Sequence, residues 1–207
     1  MSKNIVIVGP MNTGTNLIEK ILINLKCLDL HTNQVVTVNQ KEIWKHTIMK
    51  NEIESVINDK NNLVIFMYKN LFNWLYSIKK SPYEIEFTKL NEHVKLTSVE
   101  FKNIIDLYNY YYDMYIYILN NNENCLFMNY YEIINENNCY EYINNKLHKI
   151  NIKVCDENNL LNEILNTPSK THGFPVDNAS IAFNNYNNNN NLVKNYIFIN
   201  ILKYIVL

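Results

Sequence analysis

The sequence predicts an α/β fold: a central parallel sheet with helices on both faces, a three-layer α/β/α arrangement. Three observations predict it. The runs Asn4–Val8 and Asn62–Tyr68 are almost uninterrupted apolar stretches, the pattern of strands buried on both sides. Such runs alternate along the chain with segments of helical periodicity, which is the order that builds parallel sheets. The first run breaks at Gly9 and restarts as a helix after Gly14, a strand–turn–helix joint.

The elements follow in order. Residues 4–8 form the first strand and 16–25 the next helix, with Leu17, Ile18, Ile21 and Leu22 on one face. Residues 35–38 and 43–45 are short extended candidates, and 52–58 read as helical. The buried strand at 62–68 is followed by a helix over 70–79, which Ser81-Pro82-Tyr83 ends. A long tyrosine-rich helix is expected over 98–119, with Ser98 and Glu100 near its positive end. Residues 125–128 are a third strand, and 140–150 and 157–165 further helices. The asparagine-rich stretch 184–191 is a low-complexity loop. No internal repeat or linker interrupts the chain, so residues 1–207 are read as one domain.

Composition narrows the function. The 207 residues carry a net charge of −1, so there is no basic field for nonspecific nucleic-acid binding. All 19 basic residues are lysine, so any anion site must rely on ammonium groups, hydroxyls, amides and backbone, without the bidentate fork of arginine. The four cysteines are scattered, with no CxxC pair, so neither a metal site nor a disulfide framework is expected. No apolar run has the length of a membrane span. The first strand begins almost at the N-terminus, leaving no leader, and a cytoplasmic location is expected (a host cell's cytoplasm if the chain is viral).

The segment Gly9 to Asn16 carries the chemistry. A glycine turn at a helix start presents backbone N–H groups to an anion, and the turn nearly spells an ATP-binding P-loop. That motif requires Lys-Ser/Thr after the second glycine, where this chain has Thr15-Asn16. The lysine for the outer phosphates and the hydroxyl for Mg²⁺ are both missing. A phosphate-like group held without metal is therefore expected. Two further clusters fall at predicted strand ends, where ligands collect in open parallel sheets: Lys45-His46, and Lys69 with Ser77 on the helix after it.

This set resembles the sulfotransferase superfamily, which moves a sulfuryl group from 3′-phosphoadenosine 5′-phosphosulfate to a hydroxyl or amine. The loop Asn12-Thr13-Gly14-Thr15-Asn16 is similar to that family's 5′-phosphosulfate loop. Lys69 and Ser77 keep the spacing of its 3′-phosphate segment, with lysine for arginine and Leu71 for the usual proline. Phe127-Met128-Asn129-Tyr130-Tyr131-Glu132 is similar to the region where a tyrosine lies near the adenine, and Tyr131 is the matching position. The resemblance spans about two-thirds of the chain and implies a P-loop-like fold.

What the resemblance implies for the site is specific. Backbone N–H groups from Thr13 to Asn16, with the Thr13 and Thr15 hydroxyls, hold the 5′-phosphosulfate, and Asn12 stands where the loop's cation usually does. Lys69 and Ser77 hold the 3′-phosphate, with Lys170 closing over it from a late segment. Lys45 neutralises the leaving oxygen, and His46 is the general base. No metal is required, and the acceptor is a small hydroxyl compound or a glycan. Oligomeric state stays open. Adjacent residues of an extended strand face opposite ways, so Lys45 and His46 share a cleft only if a turn begins at Lys45. Two other readings stand beside this one: a nucleotide or small-molecule kinase with a degenerate loop, and a catalytically silent nucleotide- or protein-binding relative.

Overall fold

Alternate residues of the apolar runs are buried on opposite sides of one sheet, which explains why those runs lack polar interruptions. The computed structural model describes residues 3–38, 43–85, 87–135, 137–155 and 160–166, and the backbone of 170–171 and 174–175. In chain order the elements are β1 (Asn4–Val8), α1 (Thr15–Leu25), β2 (Cys27–Asp29), β3 (Thr37–Val38), α2 (Lys50–Ile57), β4 (Asn62–Tyr68), α3 (Leu71–Lys80), β5 (Val94–Leu96), β6 (Val99–Phe101), α4 (Ile104–Asn121), β7 (Cys125–Asn129), α5 (Tyr130–Ile134), α6 (Cys139–His148), β8 (Ile152–Val154), α7 (Leu160–Asn166), β9 (Lys170–Thr171) and β10 (Phe174–Pro175). The expected stretch 184–191 lies outside the described residues.

The protein is α/β, with a four-stranded parallel sheet in the order β3-β1-β4-β7. Ile5, Ile7, Leu63, Ile65, Met67, Leu126 and Met128 pack with α1, α5, α6 and α7. Val6, Val8, Val64, Phe66 and Cys125 pack with α2, α3 and α4. The connection β1–α1–β3 thus uses one face and β3–α2–β4 the other. Strand order reverses between β1 and β4, and ligands of open parallel sheets collect at the carboxyl ends of strands at such a point. The Gly9 turn leaves β1 there, and Lys69 leaves β4 beside it.

Three expected elements differ from the structure. The helix expected over 98–119 begins only at Ile104, and Val99–Phe101 instead pairs antiparallel with Val94–Leu96. Thr97, at φ 53°, makes the tight reversal that a helix would forbid. The helix starts at Asn103, whose side chain accepts from the N–H groups of Ile105 and Asp106. Residues 43–45 are not extended: Thr47 N–H donates to Trp44 O, closing a turn through Lys45 and His46. The stretch 35–38 pairs with β1 only at Thr37–Val38, and Val35 bridges to Leu28.

Within the core, the Tyr115 ring stacks on Phe66 at 4.6 Å, yet among the described residues its hydroxyl has no hydrogen-bond partner. A buried hydroxyl without a partner costs about 1–3 kcal/mol of desolvation. Tyr115→Phe is therefore expected to stabilise the protein by about 1 kcal/mol in urea denaturation. A loss of stability would show that the hydroxyl is satisfied.

Among the described residues no helix is long and apolar enough to cross a membrane.

Candidate functional site

Gly9 is the hinge of the site because nothing larger fits. A Cβ there would lie 2.8 Å from Met67 O, 2.9 Å from Met67 Cβ and 2.7 Å from Thr13 Oγ1. β1 and β4 therefore approach closely at their carboxyl ends, and the turn folds tightly over them. Trp74 of α3 anchors the turn by donating from Nε1 to Met11 O at 2.7 Å. Asn12 adopts a left-handed conformation, φ 61°. Its Nδ2 donates to Ser81 O at 2.8 Å and Ser77 O at 3.3 Å, groups at the end of α3.

These contacts correct two expected roles. The Asn12 side chain spends its donors on α3 carbonyls and does not replace a loop cation. The Thr13 hydroxyl is fully buried and donates to Pro10 O at 2.6 Å, so it braces the turn from inside. Gly14 (φ 87°) precedes α1, whose first N–H groups, at Thr15 and Asn16, have no acceptor within the helix. Those groups and the positive end of the helix dipole are what the turn offers an anion.

The turn at Lys45-His46 sits directly on Gly9. Gly9 N–H donates to Lys45 O at 2.9 Å, and His46 Nδ1 lies 2.7 Å from Gly9 O. A carbonyl can only accept, so Nδ1 carries the proton in that contact and the neutral ring keeps its lone pair on Nε2. A turn does begin at Lys45, but the two side chains part: the Lys45 ammonium donates to Asn16 Oδ1 at the start of α1, while the buried His46 ring packs near Trp44 and Tyr83. Burial lowers the Lys45 pKa, partly offset by the carboxylate of Glu19.

Lys69 stands just past the end of β4. Its Nζ donates to Ser77 Oγ at 3.1 Å and lies 3.9 Å from the centre of the Tyr130 ring. The side chain reaches back along α3, whose first turn is capped by Asn70 accepting from Asn73 N–H. Lys69 is only 7% exposed, and among the described residues no carboxylate forms an ion pair with it. Burial alone pushes its pKa down to about 7.

The tyrosine seen against the glycine turn is Tyr130, the neighbour of the expected Tyr131. A Cβ at Gly14 would sit 2.4 Å from the Tyr130 ring, so that ring touches the glycine turn and the lysine together. Tyr131 is half-buried and has its N–H capped by Asn129 Oδ1. Only the backbone of Lys170 is described, paired with Pro175 across a two-stranded ladder, and its side chain lies outside the described residues.

Hydroxyls that sequence reasoning did not assign also reach the site. Tyr111 donates to His46 O at 2.6 Å, and Tyr108 and Tyr112 each donate to Lys69 O at 3.0 Å. Their helical spacing signalled a packed face; nothing in it specified where the hydroxyls end.

Among the described residues no group of three or more His, Cys, Asp or Glu is arranged to hold a metal ion. Comparison with protein-family models, with curated proteins and with solved structures finds no match to this chain.

Proposed function

We propose that the protein is a sulfotransferase that moves a sulfuryl group from 3′-phosphoadenosine 5′-phosphosulfate to a hydroxyl acceptor, a glycan among the candidates. The observation that carries this reading is the buried Lys69 amine, with no carboxylate ion pair among the described residues, 3.1 Å from Ser77 Oγ beside the glycine turn. A buried cation lacking a counter-ion suits a ligand that brings its own negative charge. Lys69 and Ser77 then take the 3′-phosphate, and the Thr15 and Asn16 N–H groups at the start of α1 take the 5′-phosphosulfate. The sheet, with helices packed on both faces, is read as a three-layer, P-loop-like fold.

In the proposed reaction the acceptor oxygen attacks sulfur as the bond from sulfur to the phosphate oxygen breaks. His46 Nε2 receives the acceptor proton, its tautomer set by the Nδ1 contact with Gly9 O. Lys45, hinged to Asn16, neutralises the leaving oxygen of 3′-phosphoadenosine 5′-phosphate. Positioning and electrostatics supply the rate, as in phosphoryl transfer. The proposed setting is the cytoplasm.

A second reading, a relative that binds the nucleotide without turnover, is favoured by the Tyr130 ring lying over Gly14. Titration calorimetry separates these readings from a kinase. 3′-Phosphoadenosine 5′-phosphate is expected to bind at least about tenfold more tightly than ATP·Mg²⁺. A response to ATP·Mg²⁺ alone overturns the proposal. His46→Ala is expected to remove transfer while leaving nucleotide affinity intact; binding with no transfer by the unaltered protein establishes the silent reading.

A further inference from the structure

The tyrosine face of α4 does more than pack. Four of its hydroxyls end on backbone groups of loops at the carboxyl side of the sheet. Tyr108 and Tyr112 both donate to Lys69 O, and Tyr112 also accepts from Lys69 N–H at 3.1 Å. Tyr111 donates to His46 O, and Tyr110 donates to Ile48 O at 3.1 Å. Phenylalanine at these positions would fill the same space and reach none of these groups.

The location of residue 69 explains why such contacts matter. The ladder between β4 and β7 ends at Tyr68↔Asn129, and that between β1 and β4 at Val8↔Phe66. Lys69 is the first residue past both ladders, so its backbone polar groups have lost the partners a strand would supply. Tyr112 replaces them on both sides, donating to the carbonyl and accepting from the amide. His46 lies in a turn, where no sheet partner exists, and Tyr111 plays the equivalent part there. Tyr111 is buried, and the Tyr108 and Tyr112 rings lie 4.2 Å apart, so these hydroxyls are held by packing on a rigid helix.

We propose that Tyr111 and Tyr112 are positioning residues: from adjacent places on α4 they fix the backbones of His46 and Lys69 in one frame, so that the imidazole meets Gly9 and the ammonium meets Ser77. The inference concerns the geometry of the ligand-free protein and does not rest on the identity of the sulfuryl donor.

The test reads the two side chains separately. The Lys69 ammonium is titrated through its ¹³Cε shift, and the His46 tautomer is read from imidazole ¹⁵N shifts, both in the ligand-free protein. Without the Tyr112 hydroxyl, the 69–70 backbone is expected to relax outward and the ammonium to reach water. Tyr112→Phe should therefore move the Lys69 midpoint from about 7 towards the ordinary lysine value, leaving the His46 tautomer unchanged. Tyr111→Phe should do the reverse, mixing the His46 tautomers while the Lys69 midpoint stays.

If Tyr112→Phe fails to fold, Tyr108→Phe removes one of the two donors to the same carbonyl and should give a smaller shift in the same direction. Lowered thermal stability with both spectroscopic signatures unmoved would show that the tyrosines only support the fold, and would overturn the proposal. Failure to bind 3′-phosphoadenosine 5′-phosphate would count against the sulfotransferase reading and leave these shifts as expected.

Discussion

Lys69→Met is expected to make the ligand-free protein more stable at neutral pH and to abolish its binding of 3′-phosphoadenosine 5′-phosphate. Both effects come from one buried charge. The ammonium has a pKa of about 7 in the folded protein against an ordinary value of 10.5. Between those values the unfolded chain holds a proton that the folded chain has lost, so stability rises with pH across that window. At pH 7 almost all of the penalty is present, about 4 kcal/mol. Methionine removes it but also removes the Ser77 hydrogen bond and the contact with the Tyr130 face, leaving a net gain of about 2 kcal/mol. Urea denaturation should show that gain at pH 7 and its reversal to a net loss at pH 10, where the folded and unfolded lysine differ far less and the lost contacts outweigh the relieved penalty. No gain at pH 7, or an equal gain at both, would mean that Lys69 is solvated.

The same group makes ligand affinity depend on pH. The 3′-phosphate must meet a charged lysine, so affinity should be full below about pH 7 and fall as much as tenfold per pH unit above it. The fall stops where the lysine of the complex, its pKa raised by the phosphate, itself loses a proton. Calorimetry between pH 6.5 and 9 (about two orders of magnitude in affinity at most) would show this slope. A flat profile would remove Lys69 from the binding site.

Gly9→Ala is expected to be strongly destabilising, costing about 3 kcal/mol or more. The new Cβ meets the backbone oxygen of Met67 at 2.8 Å, and that oxygen cannot retreat without opening the ladder between β1 and β4. Displacing Gly9 also strains its two contacts with the Lys45-His46 turn. A lower urea midpoint with an unchanged denaturant slope is the expected result. A cost below about 1 kcal/mol would show that the strands separate easily there.

The parts of the fold that were legible are those where one signal dominates. β1 and β4 are apolar on both faces, and the spacing of Ile18, Ile21 and Leu22 fixes the buried side of α1. The region before α4 was misread because Val99 and Phe101 alternate like a strand yet adjoin a strong helical pattern. The deciding residue, Asn103, caps a helix only once Thr97 has turned the chain. At the site, the Lys69–Ser77 contact was readable because a lysine just before a helix can reach back along it.

The direction of short side chains was not legible. Asn12 and Thr13 turn to α3 and to Pro10, choices set by the left-handed backbone and by Met67 behind Gly9. Nor does the sequence distinguish neighbouring tyrosines, and only the break from β7 into α5 brings Tyr130 onto Gly14.

The small antiparallel ladder of β2 with β8, and the hydrogen bond from Lys3 Nζ to Ile150 O that spans 147 positions, join the start of the chain to its later part. On the ribosome, α1 therefore emerges with its apolar stripe uncovered and waits for α6 and β8 to be translated. The helices of the opposite side, α2, α3 and α4, are all translated by Asn121. The side covered by α1, α6 and α7 is thus expected to complete its packing later in synthesis than the side covered by α2, α3 and α4.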